Sequence, residues 1–220
     1  MVVAAAEAAG GRAMNSPIYN MRPRRQSGIP DVVFVLLIAN GILYALERIY
    51  PNFILFNFAL WPLDSGRFQI WQLLTYGFFH DLNSLYHIGF NMLGLWMFGR
   101  HVEPIMGPQR FAIYYLVCVV GAGVVQLIVA AIQGGGYYTV GASGGLMGIL
   151  LAYAMAYPNQ TIMLLIPPIP MKAKYFVILF ALASVYFGVS GSMGGIAHFA
   201  HLGGMLFGFV MLQYWKKPGR

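Results

Sequence analysis

Long apolar runs alternate with short polar segments along most of the chain. Six runs come close to the roughly 20 residues that a helix needs to cross a bilayer, and the shorter runs must recruit neighbouring residues at their ends. The runs are Val32–Leu46, Ser84–Gly99, Phe111–Ile132, Gly141–Tyr157, Tyr175–Val189 and Ile196–Trp215. The pattern predicts an all-α membrane protein, a bundle of six transmembrane helices with both termini on one side.

Composition supports the membrane assignment. Of the 220 residues, 59% are hydrophobic and only 9% are charged, whereas a soluble domain carries about 25% charged residues. The excess apolar surface must therefore face lipid. We predict one six-helix domain at 31–215, a basic N-terminal tail at 1–30 and a basic C-terminal tail at 216–220.

Lys and Arg residues orient the chain, because cytoplasmic segments carry an excess of them. With the N-terminus in the cytoplasm, 11 of the 13 basic residues fall in the two tails or in the loops at 100–110 and 158–174, and only Arg48 and Arg67 do not. This distribution accounts for the net charge of +7 without a nucleic-acid partner, which we do not expect. The Arg-rich tail is also compatible with an organelle transit peptide, although a cytoplasmic tail is the commoner interpretation.

The predicted outer loops differ in length and composition. The first, from Glu47 to Asn83, holds ten aromatic residues, including Trp61 and Trp71. Such a loop is expected to lie in the membrane interface, where aromatic rings are favoured. The other two, Gln133–Val140 and Ser190–Gly195, are short and Gly-rich, so they are able to move and to gate access.

Ser143 lies in a Gly-x-Ser-x-Gly pattern at Gly141–Gly145, which in α/β-hydrolases marks the nucleophile. That fold needs an acidic residue between the serine and the histidine, but no Asp or Glu follows Glu103. An activated Ser143 would therefore need a base without that carboxylate. The alternative is that Ser143 is a small packing residue, because small residues that allow close helix contact recur at every fourth position. They are Gly144, Gly148, Ala152 and Ala156.

The last run contains a histidine that is able to serve as this base. His201 precedes a Gly-x-x-x-Gly face at Gly204 and Gly208 by three residues, so it shares that face. The fourth and sixth runs are predicted to cross in the same direction, and their small faces would bring His201 to Ser143. A neutral imidazole then accepts the hydroxyl proton. His198 lacks this spacing, lies nearer the preceding Gly-rich loop and is expected to be wetter.

The second run carries His87 and Asn91, one helical turn apart on one face. Such a pair more often forms a structural hydrogen bond. Beside a nucleophile, the two side chains would be able to stabilise a tetrahedral oxyanion. The backbone N–H of Ser143 at a helix N-terminus would add a third donor.

Taken together, these motifs resemble the rhomboid intramembrane serine proteases over nearly all of residues 30–215. The matching pieces are His87-x-x-x-Asn91, Gly99-x-x-Val102-Glu103, Gly141-Ala142-Ser143-Gly144 and Ala200-His201-x-x-Gly204-x-x-x-Gly208. The resemblance implies a basal six-helix endopeptidase with a Ser143–His201 dyad. It also implies an oxyanion site of His87, Asn91 and the Ser143 amide, and cleavage of membrane-anchored substrates near small residues.

Two positions depart from the family pattern. Family members often carry Trp-Arg in the first outer loop, where this chain has Trp71-Gln72, and many have an aromatic residue at the position of Met147. The departures concern how the loop is anchored and what stacks on the histidine, and they leave the serine and the histidine in place.

Other functions fit the sequence less well. A transporter is expected to carry charged residues deep in its apolar runs, and none appears in this chain. A catalytically silent rhomboid-like binding or quality-control protein usually lacks the serine or the histidine, and both are present here. No His-Glu-x-x-His motif occurs, so neither a metal nor another cofactor is predicted. The expected partners are the lipid bilayer and transmembrane segments of substrate proteins, with the oligomeric state left open. The resemblance to six-span bacterial members predicts a bacterial inner membrane, with the site opening to the outer side.

Overall fold

The computed structural model describes residues 31–134, 137–163, 169–191 and 197–216. The predicted N-terminal tail, most of the C-terminal tail and most of the third outer loop lie outside these residues. The domain boundaries given above therefore stay predictions.

Helices form most of the described chain, and every predicted apolar run is helical over most of its length. They are α1 (Val32–Ile49), α2 (Pro51–Phe58), α3 (Gln72–Thr75), α4 (Leu85–Gly94), α5 (Arg100–Met106), α6 (Pro108–Gln133), α7 (Ser143–Ala156), α8 (Ala173–Ser190) and α9 (His198–Lys216). A π-helical segment at Leu95–Gly99 joins α4 to α5. The strands β1 (Thr161–Met163) and β2 (Pro170–Lys172) pair antiparallel between α7 and α8.

Within the described part of the chain, three helices, α1, α6 and α8, are long and apolar enough to cross a bilayer by themselves. The 14-residue α7 is shorter, and its side chains are almost all buried. A central helix surrounded by other helices needs little lipid-facing surface, so its composition reports packing more than membrane contact. The all-α membrane fold is thus confirmed, while the count of six spans stays a prediction.

The segment at 100–110, predicted as a loop, is almost entirely helical. Helix α5 continues from the π-helical segment to Met106, and α6 begins at Pro108. Only Gly107 interrupts the two helices, with a φ of +78° that glycine adopts readily. Proline is favoured at the first position of a helix, because it has no N–H to leave unpaired there. The loop prediction was wrong because a sharp turn between two helices needs only this Gly-Pro pair.

Glu103, part of the Gly99-x-x-Val102-Glu103 motif, fastens α5 to the start of α1. Its two carboxylate oxygens accept the N–H groups of Val32 and Val33, each at 2.9 Å. The side chain of Asp31, at the usual capping position, makes no such bond. A carboxylate from a distant helix therefore satisfies the free amides at the N-terminus of α1.

The centre of the bundle is a close contact of α6, α7 and α9 made by small residues. A side chain added at Gly204 of α9 would collide with the backbone carbonyl of Gly144 in α7. One added at Gly148 would collide with Cys118 of α6. The small faces of the two predicted spans therefore meet, and they bring the start of α7 against the start of α9.

We expect Gly204→Ala to destabilise the protein and to lower any activity of the site. The new methyl group has to push α9 away from a backbone atom that has no room to move, and overpacking of this kind costs about 1–3 kcal/mol. Thermal unfolding in detergent measures the effect. Gly41→Ala in α1 is the matched control, because nothing lies within 4 Å of the added carbon there. Equal melting temperatures for the two variants would contradict the close packing.

Candidate active site

Ser143 is the first residue of α7 and follows a tightly held turn. The N–H of Gly141 donates to the carbonyl of Tyr76 at 3.0 Å, and Thr139 pairs with Leu60 of the first outer loop. Gly141 has a φ of +136°, and a side-chain carbon there would lie 2.7 Å from Nε2 of His87. Glycine is thus required at this position both by backbone conformation and by the neighbouring histidine.

His201 lies in the first turn of α9 and faces Ser143. Its Nε2 is 2.8 Å from the Ser143 hydroxyl oxygen, within hydrogen-bond distance. Its Nδ1 is buried and has no hydrogen-bond partner among the described residues. The pair therefore has the geometry of a nucleophile and its base, without the carboxylate that orients the histidine in a triad.

The second histidine of α9, His198, is buried. Only 8% of its surface is exposed, and its ring lies 5.7 Å from that of Phe187 and 6.2 Å from that of His201. The expectation that His198 would be the wetter histidine is wrong. Its ring packs against Phe187 of α8 and lies beside the ring of His201. The sequence shows only that His198 is close to a Gly-rich loop, and this position does not reveal the contact with α8.

The departure at Met147 leaves His201 with a different aromatic neighbour. Met147 is buried in α7, and the ring that contacts His201 belongs to Phe180 of α8, with centroids 5.7 Å apart and planes tilted by 46°. The imidazole is therefore packed by a residue from another helix. The sequence offered no signal for this residue, because Phe180 is one of several aromatic residues in an apolar run.

His87 approaches the serine from α4, with its ring orientation set by the preceding loop. The backbone N–H of Asp81 donates to Nδ1 of His87 at 3.1 Å. An Nδ1 that accepts a hydrogen bond carries no proton, so the neutral ring holds its proton on Nε2. This is the nitrogen that faces Gly141 beside Ser143. His87 thus presents an N–H donor to the site.

Asn91 lies one turn further along α4 and is 4% exposed. Its amide nitrogen donates one hydrogen to the carbonyl of His87 at 2.9 Å. An amide nitrogen has two hydrogens, so one remains for another acceptor. This bond between Asn91 and His87 is the structural hydrogen bond that such a pair commonly forms. It leaves Asn91 free to use its other amide hydrogen in the predicted oxyanion site.

One cavity of about 1480 Å³ is lined by all four predicted site residues, Ser143, His201, His87 and Asn91. The cavity extends from the outer loops, at Pro51 and Tyr137, past Ser143 and along α7 to Leu150, and it is also lined by Ile162 of β1 and Phe176 of α8. Gln126 of α6 adds an amide group to a wall that is otherwise largely apolar. A space of this length and character fits an extended or helical apolar segment beside a few polar groups.

The first outer loop is anchored through Gln72, the residue that replaces the family's arginine. Gln72 is fully buried. Its side-chain oxygen accepts the N–H groups of Trp61 and Gln69, and its nitrogen donates to the carbonyls of Asn57 and Arg67. A neutral amide both donates and accepts, so it joins four points of the loop without burying a charge.

Two carboxylates accept hydrogen bonds from backbone amides: Glu47, which lines the cavity, and Glu103, which lies at the other end of the bundle. In the sequence, Glu103 was identified only as part of the Gly99-x-x-Val102-Glu103 motif, and Glu47 only as the first residue of the first predicted outer loop. Within the described residues, no group of three or more His, Cys, Asp or Glu side chains is placed to hold a metal ion.

Comparison with known proteins agrees with this architecture. The family model of the rhomboid domain matches residues 67–217. A protein named rhomboid protease GlpG from Yersinia pestis (strain Pestoides F) is 29% identical over 198 residues, which cover 90% of this chain and 66% of the relative. The protein of the same name from Serratia proteamaculans (strain 568) is 29% identical over 180 residues, covering 81% of this chain and 60% of its own length.

The fold and the matched region define a helical integral membrane protein with a rhomboid domain. The chain belongs to the rhomboid family. It spans slightly less than two thirds of the length of the relatives named above.

Proposed function

We propose that the protein is an intramembrane serine endopeptidase that hydrolyses peptide bonds in or next to transmembrane segments. Ser143 is the nucleophile and His201 is the general base. The observation that carries the proposal is the 2.8 Å contact between the Ser143 hydroxyl and Nε2 of His201, which line a cavity of about 1480 Å³. The relatives' name, rhomboid protease, agrees with it.

Acylation is the first half of the reaction. The Ser143 oxygen attacks the scissile carbonyl carbon while its proton passes to Nε2 of His201. The tetrahedral intermediate then collapses, the C–N bond breaks and His201 returns the proton to the departing amine. The products of this half are an ester on Ser143, a released amine and a neutral histidine.

The oxyanion formed by the attack is stabilised by N–H donors on one side of Ser143. Nε2–H of His87 faces the site, Asn91 has an amide hydrogen left, and the Ser143 amide lies at the N-terminus of α7. Donors fixed in advance, in a region with little water, stabilise developing charge effectively.

Deacylation needs water inside a largely apolar bundle. A water molecule gives a proton to His201, its oxygen attacks the ester carbonyl, and His201 then protonates the Ser143 oxygen as the acid product leaves. Polar groups such as the Gln126 amide along the cavity support the presence of that water, since water enters a cavity that offers it hydrogen-bond partners.

The proposed location is a bacterial inner membrane, with the termini in the cytoplasm and the site opening outward. The distribution of basic residues supports this orientation. Arg100 and Arg110, which pack on the rings of Trp96 and Trp215, lie at the opposite end of the bundle from Ser143, and an excess of Lys and Arg is typical of cytoplasmic segments. The substrates would be single-span membrane proteins.

Incubation of the purified protein with a single-span substrate in detergent tests the proposed activity. We expect cleavage into two fragments, mapped by mass spectrometry to a bond in or next to the transmembrane segment, that continues in the presence of a chelator. The rival function, a silent rhomboid-like binding protein, predicts a stable complex and intact substrate. Ion flux in liposomes without cleavage would instead favour a transporter.

We expect His87→Ala and Asn91→Ala each to lower kcat, because each removes a donor to the oxyanion. Loss of one such donor typically costs about 10²–10³ in rate, and the remaining donors compensate in part. KM should change little, since the ground-state carbonyl carries no full charge. The measurement is steady-state cleavage of one substrate by each variant. Gly89→Ala is the control on the same helix, because nothing lies within 4 Å of its added carbon. Unchanged rates in both variants would return the pair to a structural role.

A further inference from the structure

Glu47 is a buried carboxylate that contacts the loop leading to the proposed oxyanion site. It lies near the end of α1, only 3% of its surface is exposed, and its oxygen accepts the N–H of His80 at 3.0 Å. A buried carboxylate is costly unless it accepts hydrogen bonds. The proposed chemistry does not use Glu47, so its presence there calls for another role.

The next amide along the chain belongs to the site. The N–H of His80 is bonded to Glu47, and that of Asp81 is bonded to Nδ1 of His87. Two consecutive N–H groups therefore connect α1 to a side chain of α4. A shift of the peptide at His80 would move the donor that holds the proton of His87 on Nε2.

Other contacts hold the same loop in place. The Arg48 guanidinium donates to the carbonyl of Leu82 at 3.2 Å, and the Asp81 carboxylate accepts the N–H of Asn83 at 2.9 Å. The ring of His80 lies edge-on to that of His87, with centroids 5.2 Å apart. The loop is thus fixed from α1 on one side and packed against His87 on the other.

We infer that Glu47 is a positioning residue for catalysis: through His80 and Asp81 it holds His87 with its Nε2–H directed at the oxyanion. This inference rests on the proposed protease function and extends it to α1, which contributes no residue to the reaction itself. A histidine with the other tautomer would present a lone pair to the oxyanion and would repel the charge that it should stabilise.

Glu47→Met tests the role, because methionine has a similar length and accepts no such hydrogen bond. We expect kcat to fall about tenfold, less than for complete loss of an oxyanion donor, with KM changed by less than about twofold. Glu47→Gln keeps an acceptor oxygen and should restore most of kcat. Leu46→Met is the control at the adjacent position, since the Leu46 side chain is 41% exposed.

A double-mutant cycle separates positioning from general stability. If Glu47 acts through His87, Glu47→Met should cost less than about twofold in a His87→Ala background, because residues acting as a unit are not additive. Arg48→Met is a second variant for the case that Glu47→Met does not fold, since the Arg48 side chain is exposed. It should lower kcat about threefold, the effect of one modest hydrogen bond, and again have no effect without His87.

Effects that add to His87→Ala, or an unchanged kcat in a folded Glu47→Met protein, would overturn the inference. If Glu47→Met does not fold, an unchanged kcat in Arg48→Met would overturn it. A wild-type protein without any cleavage would instead overturn the proposed function. The two failures are distinguishable because the wild-type rate is measured in the same series.

Discussion

Replacing Ser143 with alanine should reduce cleavage to the uncatalysed background. Alanine has no hydroxyl to attack the substrate, and removing the nucleophile of a serine protease costs on the order of 10⁶ in rate. The fold should persist, because the side chain becomes smaller at a position where α7 and α9 meet through small residues. The measurement is cleavage of a single-span substrate, with thermal unfolding recorded on the same sample.

Ser184→Ala is the matched control for this loss. Ser184 is a serine of α8 with 2% of its surface exposed, and it does not line the cavity that holds Ser143. The control should cleave at the wild-type rate within about twofold, the margin expected for a site with no contact to the dyad. A Ser143→Ala protein that still cleaves would remove the serine mechanism, whatever its stability.

The second large effect is expected at His201 and not at its neighbour. His201→Ala should abolish turnover, because the Ser143 hydroxyl then has no base within reach and an unactivated serine is a poor nucleophile. His198→Ala should keep activity within about tenfold of wild type, equivalent to about 1.4 kcal/mol, since the His198 ring lies beside that of His201 while His201 itself contacts the Ser143 hydroxyl. Both rates come from the same cleavage assay.

The two histidine variants also differ in what they imply for stability. His198 is buried against Phe187, so His198→Ala is the variant expected to melt at the lower temperature although it is the more active one. If His198→Ala were inactive and His201→Ala active, the 2.8 Å contact between His201 and Ser143 would not be that of the catalytic pair.

Small residues made the closest approach in the bundle predictable. Glycine and alanine at every fourth position of the fourth run, and Gly204 and Gly208 in the sixth, indicated two faces able to meet. Because each face has a fixed angular relation to its polar residue, the meeting of the faces also predicted that Ser143 would lie near His201. Periodicity therefore determined a long-range contact, which is uncommon for a single sequence.

Contacts that depend on loop conformation were not predictable in the same way. The role of Gln72 depends on four partners that a non-repeating loop brings together. The group that donates to the Glu47 carboxylate is a backbone N–H, which has the same chemistry at every residue. The burial of His198 depends on how α8 leans on α9. Residue type and spacing carry no information about such arrangements, because they arise from tertiary packing.

A fluorophosphonate that reacts with activated serines tests the central claim most directly, since its attachment needs the nucleophile and its base but no knowledge of the natural substrate. Purified wild-type protein, His201→Ala and His198→Ala are treated alike, and the modified residue is located by mass spectrometry. The structure predicts an adduct on Ser143 in the wild type and in His198→Ala, none in His201→Ala, and loss of cleavage in step with labelling. Modification of a different serine, or equal labelling of Ser143 without His201, would contradict the Ser143–His201 dyad.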